Sequence, residues 1–136
     1  MLNEAAIATL TSGRLAHLVT LNADGNPQVT IVWTGLEDGE IVCAHMGEWR
    51  KVQNLRRDPR VVLSVEAGGV DEMGLARYLV VYGTARITEG GAAALLQRLA
   101  HVYLGPDVKF PPMDNPPPGY VTRIRPDRVA GHGPWR

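Results

Sequence analysis

HLVTLNADGNPQVTIVW, from His17 to Trp33, is the stretch that decides the fold. With Leu15 just upstream, Leu15, His17, Val19 and Leu21 fall on one side, and Ala16, Leu18 and Thr20 on the other. That is the two-residue period of a strand. Asp24-Gly25, within Asn22–Asn26, marks a tight turn, because glycine accepts positive φ at little cost. The return segment, Gln28 to Thr34, carries the β-branched run Val29, Thr30, Ile31 and Val32, which suits a pleated surface. The stretch therefore predicts an antiparallel hairpin.

The same pattern extends outward. Asp38-Gly39 turns the chain again, into a strand from Glu40 to about Met46, so two Asp-Gly turns about 14 residues apart describe a meander. Glu48 to Asp58 (EWRKVQNLRRD) breaks the alternation. Val52 and Leu55, three apart among polar residues, suit a short helix with one apolar edge, and Asp58-Pro59 ends it. A strand at Val61–Glu66, a Gly68-Gly69 loop and a long strand at Tyr78–Ile87 follow. Thr88 is placed to cap a helix whose inner face holds Leu95, Leu96, Leu99 and Val102, closed by Gly105-Pro106. Residues 105–119 hold six prolines and read as an extended loop. The last strand starts at Tyr120 and reaches Ile124 or a little further. Upstream of the hairpin, Asn3 can cap a short helix with Ile7 and Leu10 on one face, stopped by Gly13. The fold class is mainly β (α+β): a six-stranded antiparallel split β-barrel with flanking helices, in one domain spanning 1–136.

Composition narrows the function. Fourteen basic and 14 acidic residues give zero net charge, unlike a dedicated nucleic-acid binder, which needs surplus cations to neutralise phosphates. No window approaches a membrane span, and MLNEAAIATL lacks the basic and apolar regions of a signal peptide, so a cytoplasmic protein away from membranes is expected. Cys43 is the single cysteine and lies in an apolar stretch, where a packed thiol is the plainer reading than a nucleophile. The four histidines show no metal-ligand spacing, and no dinucleotide fingerprint, P-loop or nucleophile elbow occurs. His17 reads as a satisfied barrel histidine. Trp33 and Trp49 could stack on a planar ligand, although tryptophan in a small β-rich core is the commoner case.

One window stands out. Arg50, Lys51, Arg56, Arg57 and Arg60 put five of the 14 basic residues into 11 positions. Such a concentration makes either a local anion site or a solvated basic helix. Arg50 and Lys51 fall at a helix start, where the dipole disfavours cations unless an anion compensates them and where free N–H groups could hold that anion. Arg56, Arg57 and Arg60 lie near or beyond the helix end, where the dipole favours them and a solvated face explains them better.

Four segments, HLVTLNADGNPQVTIVW, EWRKVQNLRRDPRVVLSV, RYLVVYGTARIT and YVTRIRPDRVAGHGPW, together resemble the pyridoxamine 5'-phosphate oxidase-like split β-barrel superfamily, in its branch of coenzyme F420 (deazaflavin) dependent oxidoreductases. The resemblance implies a homodimer with two cofactor sites at the interface. It implies the cofactor phosphate on Arg50 and Lys51, with Asn54 one turn on. Ala44, His45 and Met46 would line the ribityl chain, and the strand from Val29 to Val32, with Val29, Thr30 and Val32, the ring system, while the proline-rich segment 105–119 and the tail through Trp135 would wall the pocket over the ring. Arg77 and Tyr78 would reach in from the partner subunit. Charge alone, and not the resemblance, suggests that Arg57, with Arg56, meets the acidic tail of F420. No catalytic acid or base is implied. The expected activity is hydride transfer between F420 and a small organic acceptor. FMN in the same site is the sibling reading, a non-catalytic carrier or sensor the third. An unrelated barrel binding nucleic acid or a protein remains as the fourth.

Overall fold

The chain runs from Val32 to Gly35 in three steps, yet these residues belong to strands at opposite edges of one sheet. This computed structural model describes residues 1–136. Its elements are α1 (Glu4–Leu10), β1 (Ala16–Leu21), β2 (Pro27–Val32), β3 (Gly35–Glu37), β4 (Glu40–His45), α2 (Arg50–Arg57), β5 (Arg60–Val70), β6 (Ala76–Glu89), α3 (Ala92–Tyr103) and β7 (Tyr120–His132). The sheet order is β2-β1-β5-β6-β7-β4-β3, with every pairing antiparallel. A direct link between its two edge strands means that the sheet curls round until they lie side by side. No ladder joins them. That is the split of the barrel.

Inside the curl, Leu18, Val32, Ile41, Cys43, Leu63, Val65, Leu79, Val81 and Ile124 form the centre of a 16-residue buried cluster. A smaller cluster lies outside β4, where Leu95 and Leu99 of α3 pack on Val42 and Val121. No helix is long and apolar enough to cross a membrane.

The hairpin forms as expected, with Gly25 at φ +87° and the register Val19↔Val29. Asp38 and Gly39 both take positive φ, as a two-residue turn between twisted strands requires. That turn creates a seventh strand that the pattern did not announce: Gly35–Glu37 is too short to show a period, and its pairing with β4 makes it a strand. Gly68-Gly69 is a bulge inside β5, and the real turn is Asp71–Gly74, where Asp71 Oδ1 accepts from the N–H groups of Met73 (2.8 Å) and Leu75 (2.9 Å). Strand β7 continues to His132, past Pro126, which still pairs with Gly83, and a register shift opposite Tyr82/Gly83 leaves Asp127 as the extra residue of a bulge.

Three smaller expectations are corrected. Thr88 lies within β6, and Gly91, at φ +79°, takes the cap position of α3. Val102 is exposed and meets the Gly13 turn instead of the core. Ile7 is likewise exposed, and Ala6 and Leu10, four apart, form the buried edge of α1.

His17 is also placed differently. The core side of β1 is Ala16, Leu18 and Thr20, so His17 faces outward with Val19. Val29, Val19, Val62 and Tyr82 stand side by side across β2, β1, β5 and β6, and form an outward row that is largely apolar.

Candidate functional site

Helix α2 is held by a polar tie. Asn54 is buried, and its Nδ2 donates to Thr20 Oγ1 (3.0 Å), Asn22 Oδ1 (3.0 Å) and Gln28 Oε1 (3.3 Å). Arg57 donates to the Leu21 carbonyl and to Asn54 Oδ1. These bonds pin the helix to the hairpin and fix where its first turn lies. Trp49 occupies the cap position without a side-chain cap bond. Val52 and Gln53 donate to the Trp49 carbonyl, while the N–H groups of Arg50 and Lys51 have no partner within the chain.

Beside that turn lies a cavity of about 290 Å³. Strand β2 and its continuation supply Ile31, Val32 and Trp33, and β4 and its end supply Ala44 and Met46. Trp49 and Lys51 come from the start of α2, Leu96 and Leu99 from α3, and Phe110 from the proline-rich segment. Nine of the ten lining residues are hydrophobic, and Lys51 is the one charge. Its ammonium lies 5.3 Å from the Trp49 ring centroid and forms no ion pair. Burial holds its pKa below the ordinary lysine value. A half-buried cation facing apolar walls is a strong attractor for an anion.

His45 and Cys43 lie behind this wall, on the barrel side of β4. Burial, helped by the Lys51 charge, pushes His45 down to about 3, so the imidazole is neutral. Its Nε2 lies 2.7 Å from Thr122 Oγ1, while Nδ1 is buried with no partner. Thr30 Oγ1 is the other buried polar side-chain atom without a partner. Burial raises the Cys43 thiol to about 12, which removes it as a nucleophile.

Of the residues singled out in the sequence, Val32, Ala44, Met46 and Lys51 meet in the cavity. Arg50 is exposed next to them, without an ion pair. Val29 faces out on the opposite side of β2, and Thr30 and His45 turn into the barrel. Asn54 and Arg57 are occupied by the tie to the hairpin, and Arg56 pairs with Glu48 and Glu89. Arg77 and Tyr78 line a different cavity, of about 470 Å³. Ile31 falls within the strand expected along the ring system and Phe110 within the proline-rich segment expected in the pocket wall, whereas sequence reasoning missed Leu96 and Leu99 of α3. Trp33 and Trp49, the two candidate stacking platforms, both line the cavity.

Residues 2–133 match the family described as pyridoxamine 5'-phosphate oxidase. Among solved structures, the chain is similar to an F420 reductase at 26% identity, with a TM-score of 0.71, over 90% of this chain and 94% of that one. It is also similar to a conserved hypothetical protein of Mycobacterium tuberculosis at 29% identity, with a TM-score of 0.72, over 97% and 85% of the two chains. An FAD-binding protein of Mesorhizobium loti shares the fold at 20% identity, with a TM-score of 0.64, over 90% and 88%. None of the curated proteins matches. With a family match over nearly its whole length and the split-barrel sheet that goes with it, the chain belongs to the pyridoxamine 5'-phosphate oxidase family.

Proposed function

We propose that the cavity beside α2 holds coenzyme F420, with its phosphate on Arg50 and Lys51, and that the protein is a cytoplasmic oxidoreductase. It passes a hydride between that cofactor and a small organic acceptor. The observation that carries this reading is Lys51: a half-buried ammonium with no anionic partner, at the open N–H groups of a helix start and at the rim of an apolar cavity. A phosphate supplies the missing charge, and the walls at Val32, Trp33, Ala44 and Met46 suit a planar ring and its linker. When bound, the reduced deazaflavin supplies the hydride. The chain contributes binding and orientation, and its apolar walls exclude water. Apart from Lys51, which holds the phosphate on this reading, the cavity lining carries no titratable side chain.

The chain also works as a homodimer on this reading. The outward row Val29, Val19, Val62 and Tyr82 is an apolar surface of the kind that a second copy covers. A cavity of about 290 Å³ is small for a whole dinucleotide-sized cofactor and calls for further walls from a partner.

FMN is the second reading, and one observation favours it. Arg56, Arg57 and Arg60, the extra cations that set F420 apart, are engaged with Glu48 and Glu89, with Leu21 and Asn54, and with Asp58. Similarity to the F420 reductase keeps F420 first. Side-by-side tryptophan-quenching titrations decide. F420 is expected to quench where FMN does not, and the R50Q/K51Q protein should lose that response while melting normally. A yellow, flavin-loaded preparation would favour FMN. Binding without turnover on a broad acceptor panel would leave a carrier. Unchanged uptake of both cofactors by R50Q/K51Q would overturn the site.

A further inference from the structure

Most of the 14 basic side chains are spent within the fold. Arg56, Arg60, Arg86, Arg98, Arg123, Arg125 and Lys109 pair with carboxylates. Arg57 sits on the Leu21 carbonyl, and Arg128 lies over the Tyr82 ring. Apart from the chain-terminal Arg136, the remaining cations fall in two places. Arg50 and Lys51 stand at the start of α2, and Arg14 and Arg77 line the cavity of about 470 Å³.

That second cavity is built by the bulge in β5. Gly68 and Gly69 take φ +75° and +73°, and the register shifts between Glu66 and Val70. The Arg14 guanidinium occupies the space that a Cβ on Gly68 would fill. His17, Ser64 and Tyr78 complete the polar wall. Glu66 is also present and pairs with neither arginine, so the two arginines and this carboxylate leave the lining with one net positive charge. His17 pairs in register with Ile31, and Ile31 lines the first cavity. The two cavities are therefore neighbours across a single strand pair, roughly 5 Å between Cα atoms.

We infer that Arg14 and Arg77, with His17 and Ser64, form a carboxylate-binding site that receives an acidic group of a molecule whose planar part lies in the cavity beside α2. The inference rests on the proposed reading only for the identity of that molecule. Two guanidiniums without partners offer a fork of donors that matches a carboxylate, and a single net positive charge suits a monoanion. The acidic group can belong to the acceptor or to the side chain of F420, which carries carboxylates that FMN lacks.

The test compares the native protein with R14Q/R77Q and R50Q/K51Q, each checked by melting, against F420, FMN, naphthalene-2-carboxylate and naphthalene-2-carboxamide. The native protein is expected to bind the naphthoate about tenfold tighter than the amide. R14Q/R77Q should lose that preference, and R50Q/K51Q should keep it even while failing to take up either cofactor. If F420 also binds R14Q/R77Q about tenfold more weakly with FMN unchanged, the cofactor's own carboxylate uses the site. If F420 affinity holds, the acceptor's does. If R14Q/R77Q matches the native protein for all four probes, or the preference disappears only with R50Q/K51Q, the site is overturned. Should R14Q/R77Q fail to fold, R77Q alone carries the test, with a smaller loss in the same direction.

Discussion

Asn54 Nδ2 stands 3.0 Å from Thr20 Oγ1, so the helix that presents Arg50 and Lys51 is bolted to β1 by a buried amide. Removing that amide strands acceptors on Thr20, Asn22 and Gln28. Asn54→Ala should cost about 1–3 kcal/mol, the usual penalty for a buried group left unsatisfied. Urea unfolding checks this: the midpoint falls while the slope stays put. Cofactor affinity should weaken in the same variant, because the first turn of α2 loses its anchor. An unchanged midpoint would mean that the amide positions nothing.

Lys51 should show opposite effects on stability and binding. A half-buried cation without an anion burdens the free protein, and burial already holds its pKa below 10.5. Lys51→Met should therefore stabilise the free protein by up to about 1 kcal/mol. Below its folded pKa the lysine is charged in both states and the penalty is complete, so the gain is full at neutral pH. It shrinks as pH rises toward 10.5, where the native lysine sheds its charge. Affinity for the anionic cofactor should fall about 10- to 100-fold, the worth of one charge-assisted contact. A variant that lost stability and kept affinity would contradict the assignment of Lys51 to an anion.

His45 imposes a pH dependence. Its folded pKa, about 3, lies below the ordinary 6.5, so the unfolded chain binds the extra proton first. Stability from the neutral imidazole is complete above pH 6.5 and drains as pH falls toward 3. The slope approaches about 1.4 kcal/mol per pH unit for one proton. Carboxylates such as Asp58, held at about 2 chiefly by its bonds to Arg60, add their own losses only further down. His45→Asn should flatten the fall between pH 6.5 and 4 while lowering the plateau through the disturbed Thr122 contact. Denaturation midpoints across that window give the answer, and parallel curves for the two proteins would count against it.

The hairpin, both Asp-Gly turns and the cationic helix were legible because each rests on local geometry: a two-residue period, positive φ at glycine, a short amphipathic edge. The missing pieces are non-local. Strand Gly35–Glu37 exists only through its ladder with β4. Gly68-Gly69 looks like a break, and becomes a bulge only because β6 continues on the far side. Both faces of β1 are apolar enough to be the inside, so the outward turn of His17 could not be read from alternation. Arg56 and Arg57 appeared as free cations because two of their partners, Glu89 and the Leu21 carbonyl, lie more than 30 residues away. The lysine of the site was found by charge clustering, whereas Phe110 arrives through a loop contact that no sequence period encodes.

That loop contact supports the last prediction. Gln97 on α3 clasps the proline-rich segment twice, its Nε2 donating to the Val108 carbonyl (2.8 Å) and its Oε1 accepting from the Phe110 N–H (3.0 Å). The clasp sets the Phe110 ring against Trp33, with centroids 5.3 Å apart, and Trp33 in turn stacks on Tyr103 at 5.2 Å. One side chain thus holds one wall of the cavity in place. Gln97→Ala should cost about 1–2 kcal/mol, as two hydrogen bonds of ordinary strength would. It should also speed proteolysis within 105–119, because loss of the clasp raises the population of locally open loop. Phe110→Ala keeps the clasp and removes only the ring, so proteolysis should stay slow while the cavity widens. If Phe110 limits what lies in the cavity, this variant should admit bulkier planar ligands, seen as a lower Kd for a three-ring probe than for a two-ring one, with the native protein ranking them the other way. Equal rankings in both proteins would remove Phe110 from the site and leave Gln97 a purely structural clasp.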